Sequence, residues 1–305
     1  MSAAAKIGFI GVGSMGWPMA SRLRQAGFAV TVFDAAQAQA ARFAGEMGGA
    51  VASDCRALAG QSDIIITMLP TSAIVESVLQ GPQGVLAGLR AGTVIVEMSS
   101  GVPAHTQRLA QLAAQAGGEL VDAPVSGGVS RARTGELAIM FGGPAPTLER
   151  VRPALQAMGT SIVHTGAVGS AHAMKALNNL VSAGGFLIGV EAMLIGQQFG
   201  LEPEVIVDAL NASTGMNNST QKKFKQFVLS RKFNAGFGLD LMVKDLTIAL
   251  GIAEDTGTPA PFASLCREMW ASAGKALGKG QDHTAMARLS ELLAGAELKK
   301  SHSSQ

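Results

Sequence analysis

Three glycines near the amino terminus are spaced as G-x-G-x-x-G, in Gly11-Val12-Gly13-Ser14-Met15-Gly16. Glycines at this spacing can cradle a pyrophosphate. The first permits a tight turn, the second lets phosphate approach the backbone, and the third lets a helix pack closely on a strand. The start of that helix contributes N–H groups and partial positive charge, so Ser14 and Met15 join Gly11, Gly13 and Gly16 as candidate phosphate-binding residues. In a chain with 38 glycines the pattern alone is weak, and a ligand-free turn is the plain alternative. Its setting, after a strand-like run and before a helix-like one, is what strengthens it. Asp34 ends the second strand-like run. A carboxylate there can accept hydrogen bonds from ribose hydroxyls and repels a 2′-phosphate. Ala35 and Ala36 follow, with no arginine to receive such a phosphate, so the reading is NAD in preference to NADP. Helix capping is the plain alternative for Asp34.

Elements must hold this loop in place. Lys6 to Gly11, Ala29 to Asp34, Asp63 to Leu69 and Thr93 to Glu97 read as strands rich in Val and Ile, bounded by turn formers. The unbroken run Ile64-Ile65-Ile66 suits a strand buried on both faces. Alanine-rich helical stretches lie between, at Met15 to Ala26, Ala35 to Met47 and Pro103 to Ala116. Further strand-like pieces follow near Glu119 to Val125, Leu137 to Gly142 and Ser161 to Thr165. This alternation predicts an α/β, doubly wound Rossmann-type domain over residues 1–165. From 166 the apolar spacing becomes helical, with Ala173 to Phe199 as one long helix, which predicts an all-helical domain over 166–296 and a loose tail over 297–305. In a doubly wound sheet the carboxyl ends of the strands border the ligand crevice. That places Met68-Leu69-Pro70-Thr71-Ser72, Ser99-Ser100 and Asp122-Ala123-Pro124-Val125-Ser126-Gly127-Gly128 around one crevice.

Composition narrows the classes of partner. A formal net charge of +2 offers no electrostatic reason for nucleic acid or an anionic membrane. Lys222-Lys223 with Lys225 reads as one solvated helix face. Cys55 and Cys266 are far apart and read as buried small hydrophobes in a reducing compartment. The five histidines form no paired motif, so no metal is expected. The amino-terminal residues run straight into a strand without the pattern of a secretory signal. No uninterrupted apolar run reaches about 18 residues; the longest, Ala183 to Ile195, is broken by Gly184, Gly185, Gly189 and Glu191. Cytoplasm is the default location. The chain has no tyrosine, which excludes dehydrogenases built on a Tyr-x-x-x-Lys pair.

Four blocks in order resemble the β-hydroxyacid dehydrogenase family, whose members act on 3-hydroxyisobutyrate, tartronate semialdehyde or 2-hydroxymethylglutarate. They are Gly8 to Gly16, Asp122 to Gly128, Gly169 with Lys175 and Asn178-Asn179, and Lys244-Asp245-Leu246. The resemblance runs from Lys6 to about Leu293 and implies hydride transfer between NAD and a small 3-hydroxy acid. It implies Lys175 as catalytic acid/base, Ser126 with the backbone of Gly127 and Gly128 on the substrate carboxylate, and Asn179 as a further substrate contact. Leu69, Pro70, Ser100 and Lys244 would line the cofactor. A homodimer or homotetramer built through the helical domain is also implied. The physical chemistry is compatible. Alcohol oxidation needs a base for the hydroxyl proton, burial between two domains would depress a lysine's pKa, and positions 175 and 179 share a helix face. A solvated lysine is the plain alternative at 175, a turn residue at Ser126, and a surface ion pair with Asp240 or Glu254 at Lys244.

One block departs from the family. Where several members have Ser-Ser-Gly-Arg, this chain has Ser213-Thr214-Gly215-Met216-Asn217-Asn218. The missing arginine argues against a second anionic end on the substrate, and Asn217 and Asn218 become candidates to bind substrate hydroxyls. Three other readings compete with this one. Imine reductases of this fold usually place aspartate or tyrosine where Lys175 stands, and a 6-phosphogluconate dehydrogenase-like enzyme needs a larger helical domain. A non-catalytic NAD-binding protein would typically lose the lysine.

Overall fold

The computed structural model describes residues 5–298. The chain divides into two compact units, Met1–Lys175 and Ala176–Gln305. The first contains one nine-stranded sheet: β1 Lys6–Ile10, β2 Ala29–Phe33, β3 Ala50–Val51, β4 Ile64–Thr67, β5 Val94–Glu97, β6 Glu119–Asp122, β7 Val125–Ser126, β8 Leu137–Gly142 and β9 Gly159–Gly166. The order β3-β2-β1-β4-β5-β6 is parallel throughout and is that of the doubly wound dinucleotide-binding fold. β4 shows why its sequence is continuously apolar. Ile64 and Ile66 enter the core on one face of the sheet and Ile65 enters the core on the other. The helix Gly16–Gln25 lays Met19, Ala20 and Leu23, spaced for one helical face, into the first of these cores.

The far edge departs from the sequence expectation. Glu119 to Val125 is not one strand, because β6 ends at Asp122 and β7 starts at Val125. Pro124 between them has no N–H to give a ladder, though its carbonyl accepts from Met140 N–H at 3.1 Å. The chain turns there, β7 pairs antiparallel with β8, and Ser126-Gly127-Gly128 is carried to the end of a new strand. Helices that the spacing does not single out also appear. Thr71 caps Ser72–Gln80 by accepting from Ile74 N–H, Asp54 caps Cys55–Ala59, and Ala145–Met158 tolerates Pro153 in its interior.

The second unit is helical. The rest of Ser170–Phe199, Pro203–Asn211, Leu239–Asp255, Pro261–Leu277 and Met286–Ala294 close over a core that includes Phe186, Phe224 and Trp270. Division by packing falls after Lys175, ten residues beyond the last strand signal at 165, because the first turn of the long helix is held by the sheet domain. Asp122 Oδ1 accepts from Gly169 N–H at 2.7 Å and Oδ2 from His172 N–H at 2.8 Å. Of the expected tail, Leu298 is buried and its N–H donates to Glu291, while 299–305 lie outside the described residues.

Two further expectations change, and the expected burial of the cysteines holds. The helix Ser170–Phe199 is, by length and composition, apolar enough to cross a membrane despite its glycines and Glu191, and half of its most apolar window is buried within the protein. The lysines do not share one solvated face. The helix ends at Lys222, Lys223 reaches Ser182 Oγ at 3.2 Å, and Lys225 pairs with Asp208 at 2.5 Å. Both cysteines are buried and unbonded to each other, and burial pushes each thiol up to about 11.

Candidate active site

The glycine loop has the geometry its spacing suggests. Gly11 adopts φ +94°, and a Cβ at Gly16 would stand 1.8 Å from the Gly11 carbonyl oxygen, so only glycine allows the helix this close to the loop. At Gly13 a Cβ would meet nothing within 4 Å, which leaves the backbone open to a ligand. Met15 is the residue before the helix, and no side chain caps the helix start. Its first N–H groups therefore lack a capping oxygen from the protein's own side chains. Asp34 holds the loop from the next strand: Oδ2 accepts from Val12 N–H and Oδ1 from Ala36 N–H, each at 2.9 Å. Each carboxylate oxygen keeps a second lone pair for a ribose hydroxyl. A cavity of about 480 Å³ opens beside the loop, lined in part by Gly13, Ser14, Trp17, Gln39, Arg42 and Arg133.

The neighbouring strand ends are tied together. Leu69 N–H donates to Ser99 Oγ at 2.8 Å, and Ser99 N–H donates to Glu97 Oε1 at 2.8 Å. Pro70 and Ser100 directly follow the two tied residues. Glu97 also meets the buried imidazole of His172 at 2.9 Å. Farther along the sheet, Gly127 and Gly128 adopt φ +134° and +67°, the left-handed region where a side chain is strained, next to the half-buried Ser126. Lys175 lies in the second turn of the helix Ser170–Phe199 and is only 8% exposed.

In the helical unit, Asn179 is buried and donates through Nδ2 to Asp245 Oδ2 at 2.5 Å. Lys244 Nζ lies 3.5 Å from the other oxygen of Asp245. Asp245, the next residue in the chain, is thus an ion partner of Lys244. Asn217 has a structural duty. Its Oδ1 accepts from Ser219 and Thr220 N–H in a capping box, and its Nδ2 donates to the Gly185 carbonyl. That side chain caps the helix that follows it, and one N–H of its amide takes no part in these bonds.

Residues 6–166 match the NAD binding domain of 6-phosphogluconate dehydrogenase, and residues 169–290 match the family described as NAD-binding of NADP-dependent 3-hydroxyisobutyrate dehydrogenase. The chain is 38% identical over 296 residues to 2-(hydroxymethyl)glutarate dehydrogenase of Eubacterium barkeri, covering 97% of this chain and 98% of that protein. It is 34% identical to human mitochondrial 3-hydroxyisobutyrate dehydrogenase, over 87% of this chain and 80% of that one. This chain belongs to the β-hydroxyacid dehydrogenase family. A solved Mycobacterium tuberculosis 3-hydroxyisobutyrate dehydrogenase with L-serine superposes with a TM-score of 0.86 at 33% identity, over 93% of this chain and 98% of that one. An imine reductase from Myxococcus stipitatus, at 22% identity and a TM-score of 0.64 over 93% of this chain and 99% of that one, shares the fold.

As a β-hydroxyacid dehydrogenase the protein is an oxidoreductase acting on a CH–OH group of a small hydroxy acid, with NAD as cofactor. The open backbone at Gly13, the uncapped helix start and the placement of Asp34 fit a dinucleotide. The spacing patterns missed other residues around the site. Glu97 and His172 carry no local signal, since each is defined by a partner distant in sequence. Asp122 and Asp245 sat inside recognised blocks, yet the role of the first as cap of a remote helix and of the second as partner of Asn179 is visible only in three dimensions.

Proposed function

We propose that this dehydrogenase oxidises a 3-hydroxy acid of the 3-hydroxyisobutyrate type, with Lys175 as the general acid/base. The observation that carries the proposal is a lysine buried on the long helix, followed one turn later by the buried Asn179. Ser126 and the N–H groups of Gly127 and Gly128 hold the substrate carboxylate, since glycines without Cβ let a carboxylate approach their backbone. Asn179, its amide oriented by Asp245, contacts the substrate on the Lys175 side of the helix. Bound NAD supplies the hydride acceptor. In the oxidation Lys175, in its neutral form, takes the hydroxyl proton as the carbonyl forms, and in the reduction it returns that proton. Leu69, Pro70, Ser100 and Lys244 line the cofactor. Fixing the carboxylate sets the distance of the reacting carbon, and such positioning is a large share of the rate enhancement.

NAD is preferred over NADP because Asp34 places negative charge where a 2′-phosphate would lie and Ala35 and Ala36 offer no cation. The enzyme works as a soluble cytoplasmic homodimer or homotetramer. The test is NADH formation across 3-hydroxy acids, 2-hydroxy acids and sugar acids, with NAD and NADP in parallel and Lys175→Ala as control. Turnover with NAD concentrates in the 3-hydroxy acids and falls by about 10²- to 10⁴-fold in the variant. NADH binding without turnover of any acid would instead point to an imine-reductase-like or non-catalytic protein.

A further inference from the structure

His172 lies in the first turn of the lysine-bearing helix, three residues before Lys175, and is buried. Its Nε2 is 2.9 Å from Glu97 Oε2 and 3.0 Å from the Ser99 carbonyl oxygen. Neither partner can donate, so Nε2 carries a hydrogen. Nδ1 is 2.7 Å from Thr106 Oγ1, and the same hydroxyl lies 3.2 Å from the Val102 carbonyl. The hydroxyl can accept from Nδ1 or donate to it, so this contact holds the ring in place in either protonation state. The charged groups facing it are Glu97 on β5 and Asp122 on β6, the latter 4.0 Å from Nδ1. Burial opposes charge on both His172 and Glu97. Their mutual attraction and hydrogen bonds outweigh it, holding His172 above and Glu97 below the ordinary values.

Glu97 faces two ways. Oε2 meets the ring, while Oε1 accepts from Ser99 N–H and, at 3.3 Å, from the Thr67 hydroxyl. Ser99 Oγ then accepts from Leu69 N–H. One chain of bonds thus joins the first turn of the Lys175 helix to the segments that carry Leu69 and Ser100. The backbone is pressed onto this pair: a Cβ at Gly101 would stand 2.8 Å from the His172 ring and 3.3 Å from the Glu97 carboxylate.

We propose that His172 and Glu97 are positioning residues that set the register between the acid/base Lys175 and the strand-end segments lining the cofactor, with His172 seating the lysine and Glu97 seating both. The proposal rests on the dehydrogenase reading above.

It is tested by steady-state oxidation and equilibrium NADH binding of wild type, His172→Ala, His172→Gln and Glu97→Ala, with each rate normalised to the folded fraction. His172→Ala loses about ten- to a hundredfold in kcat, since a misplacement of about 1 Å costs on the order of 10²-fold. Its NADH affinity stays near wild type because Glu97 still holds Ser99. His172→Gln retains an amide donor toward Glu97 and Ser99 and falls between the two. Glu97→Ala loses both kcat and NADH affinity. Equal kcat per folded molecule in the His172 variants and wild type would overturn the proposal, as would a parallel loss of NADH affinity in those variants. If the alanine variants do not fold, His172→Gln decides alone on the same kcat comparison. A wild type that turns over no acid defeats the dehydrogenase reading instead. The binding arm then still decides, requiring NADH affinity lowered by Glu97→Ala and untouched by His172→Ala.

Discussion

Gly13 and Gly16 are three residues apart and opposite in what they tolerate. Space at Gly13 is open, whereas a methyl at Gly16 collides with the Gly11 carbonyl. Gly13→Ala therefore melts close to wild type but binds NADH at least about tenfold more weakly, a change of about 1.4 kcal/mol. Gly16→Ala loses stability as well, by about 1–3 kcal/mol, because the backbone must shift. Paired thermal melts and NADH titrations separate the two. A Gly13→Ala protein that binds NADH normally would remove the phosphate from this loop. Asp34 has a structural duty beside any part in cofactor choice. Asp34→Ala leaves Val12 N–H without its acceptor and costs about 1–3 kcal/mol, read from denaturant midpoints.

Elements are joined here by buried polar groups rather than by apolar packing alone. The Glu97–His172 pair links β5 to the long helix, and its contribution depends on pH with a definite sign. The folded-state value of His172 is raised, so its contribution is complete below the unfolded imidazole value of about 6.5 and is lost as pH climbs through the raised value. Glu97 is lowered, so its contribution is present above the unfolded carboxyl value of about 4.3 and is lost as pH falls through the lowered one. The pair is whole near neutrality, and melting temperature declines on the alkaline side. In His172→Gln that alkaline decline flattens. Identical slopes in the two proteins above pH 6.5 would show that the ring is neutral. Within the helical unit, Asp245 ties Leu239–Asp255 to the long helix through Asn179. Asp245→Ala strands the Asn179 amide and destabilises by about 1–3 kcal/mol in chemical unfolding.

At the scale of the whole molecule, the long helix exposes an apolar stripe at seven-residue spacing, with Val181, Ile188 and Ile195 followed by Phe199. Val181 is 77% and Phe199 84% exposed, more than a solubilised helix surface usually offers in one line. The proposed homo-oligomer covers this face. Sedimentation shows two or four copies of the chain, and Val181→Glu with Ile188→Glu shifts the mass toward one. A monomeric wild type at micromolar concentration defeats the oligomer.

By itself the sequence determined whatever repeats along a few residues: the Val/Ile strands, the amphipathic helices, the change from alternating to purely helical spacing, and the glycine loop that opens the first helix. It also placed Lys175 and Asn179 one turn apart, because a helix has a known period. Only the tertiary structure decided the rest, since the deciding contacts join residues far apart in the chain. His172 and Ser99 are 73 positions apart, His172 and Asp122 are 50 apart, and Asn179 and Asp245 are 66 apart. A carboxylate in a strand carries no local mark of which ring it will meet. Asn217 shows the converse: its residue type suggested a ligand, and a helix start nearby claimed its amide oxygen. Periodicity is a property of neighbours, whereas the pairing of buried charges follows from closing the sheet against the helix, which no short stretch of sequence contains.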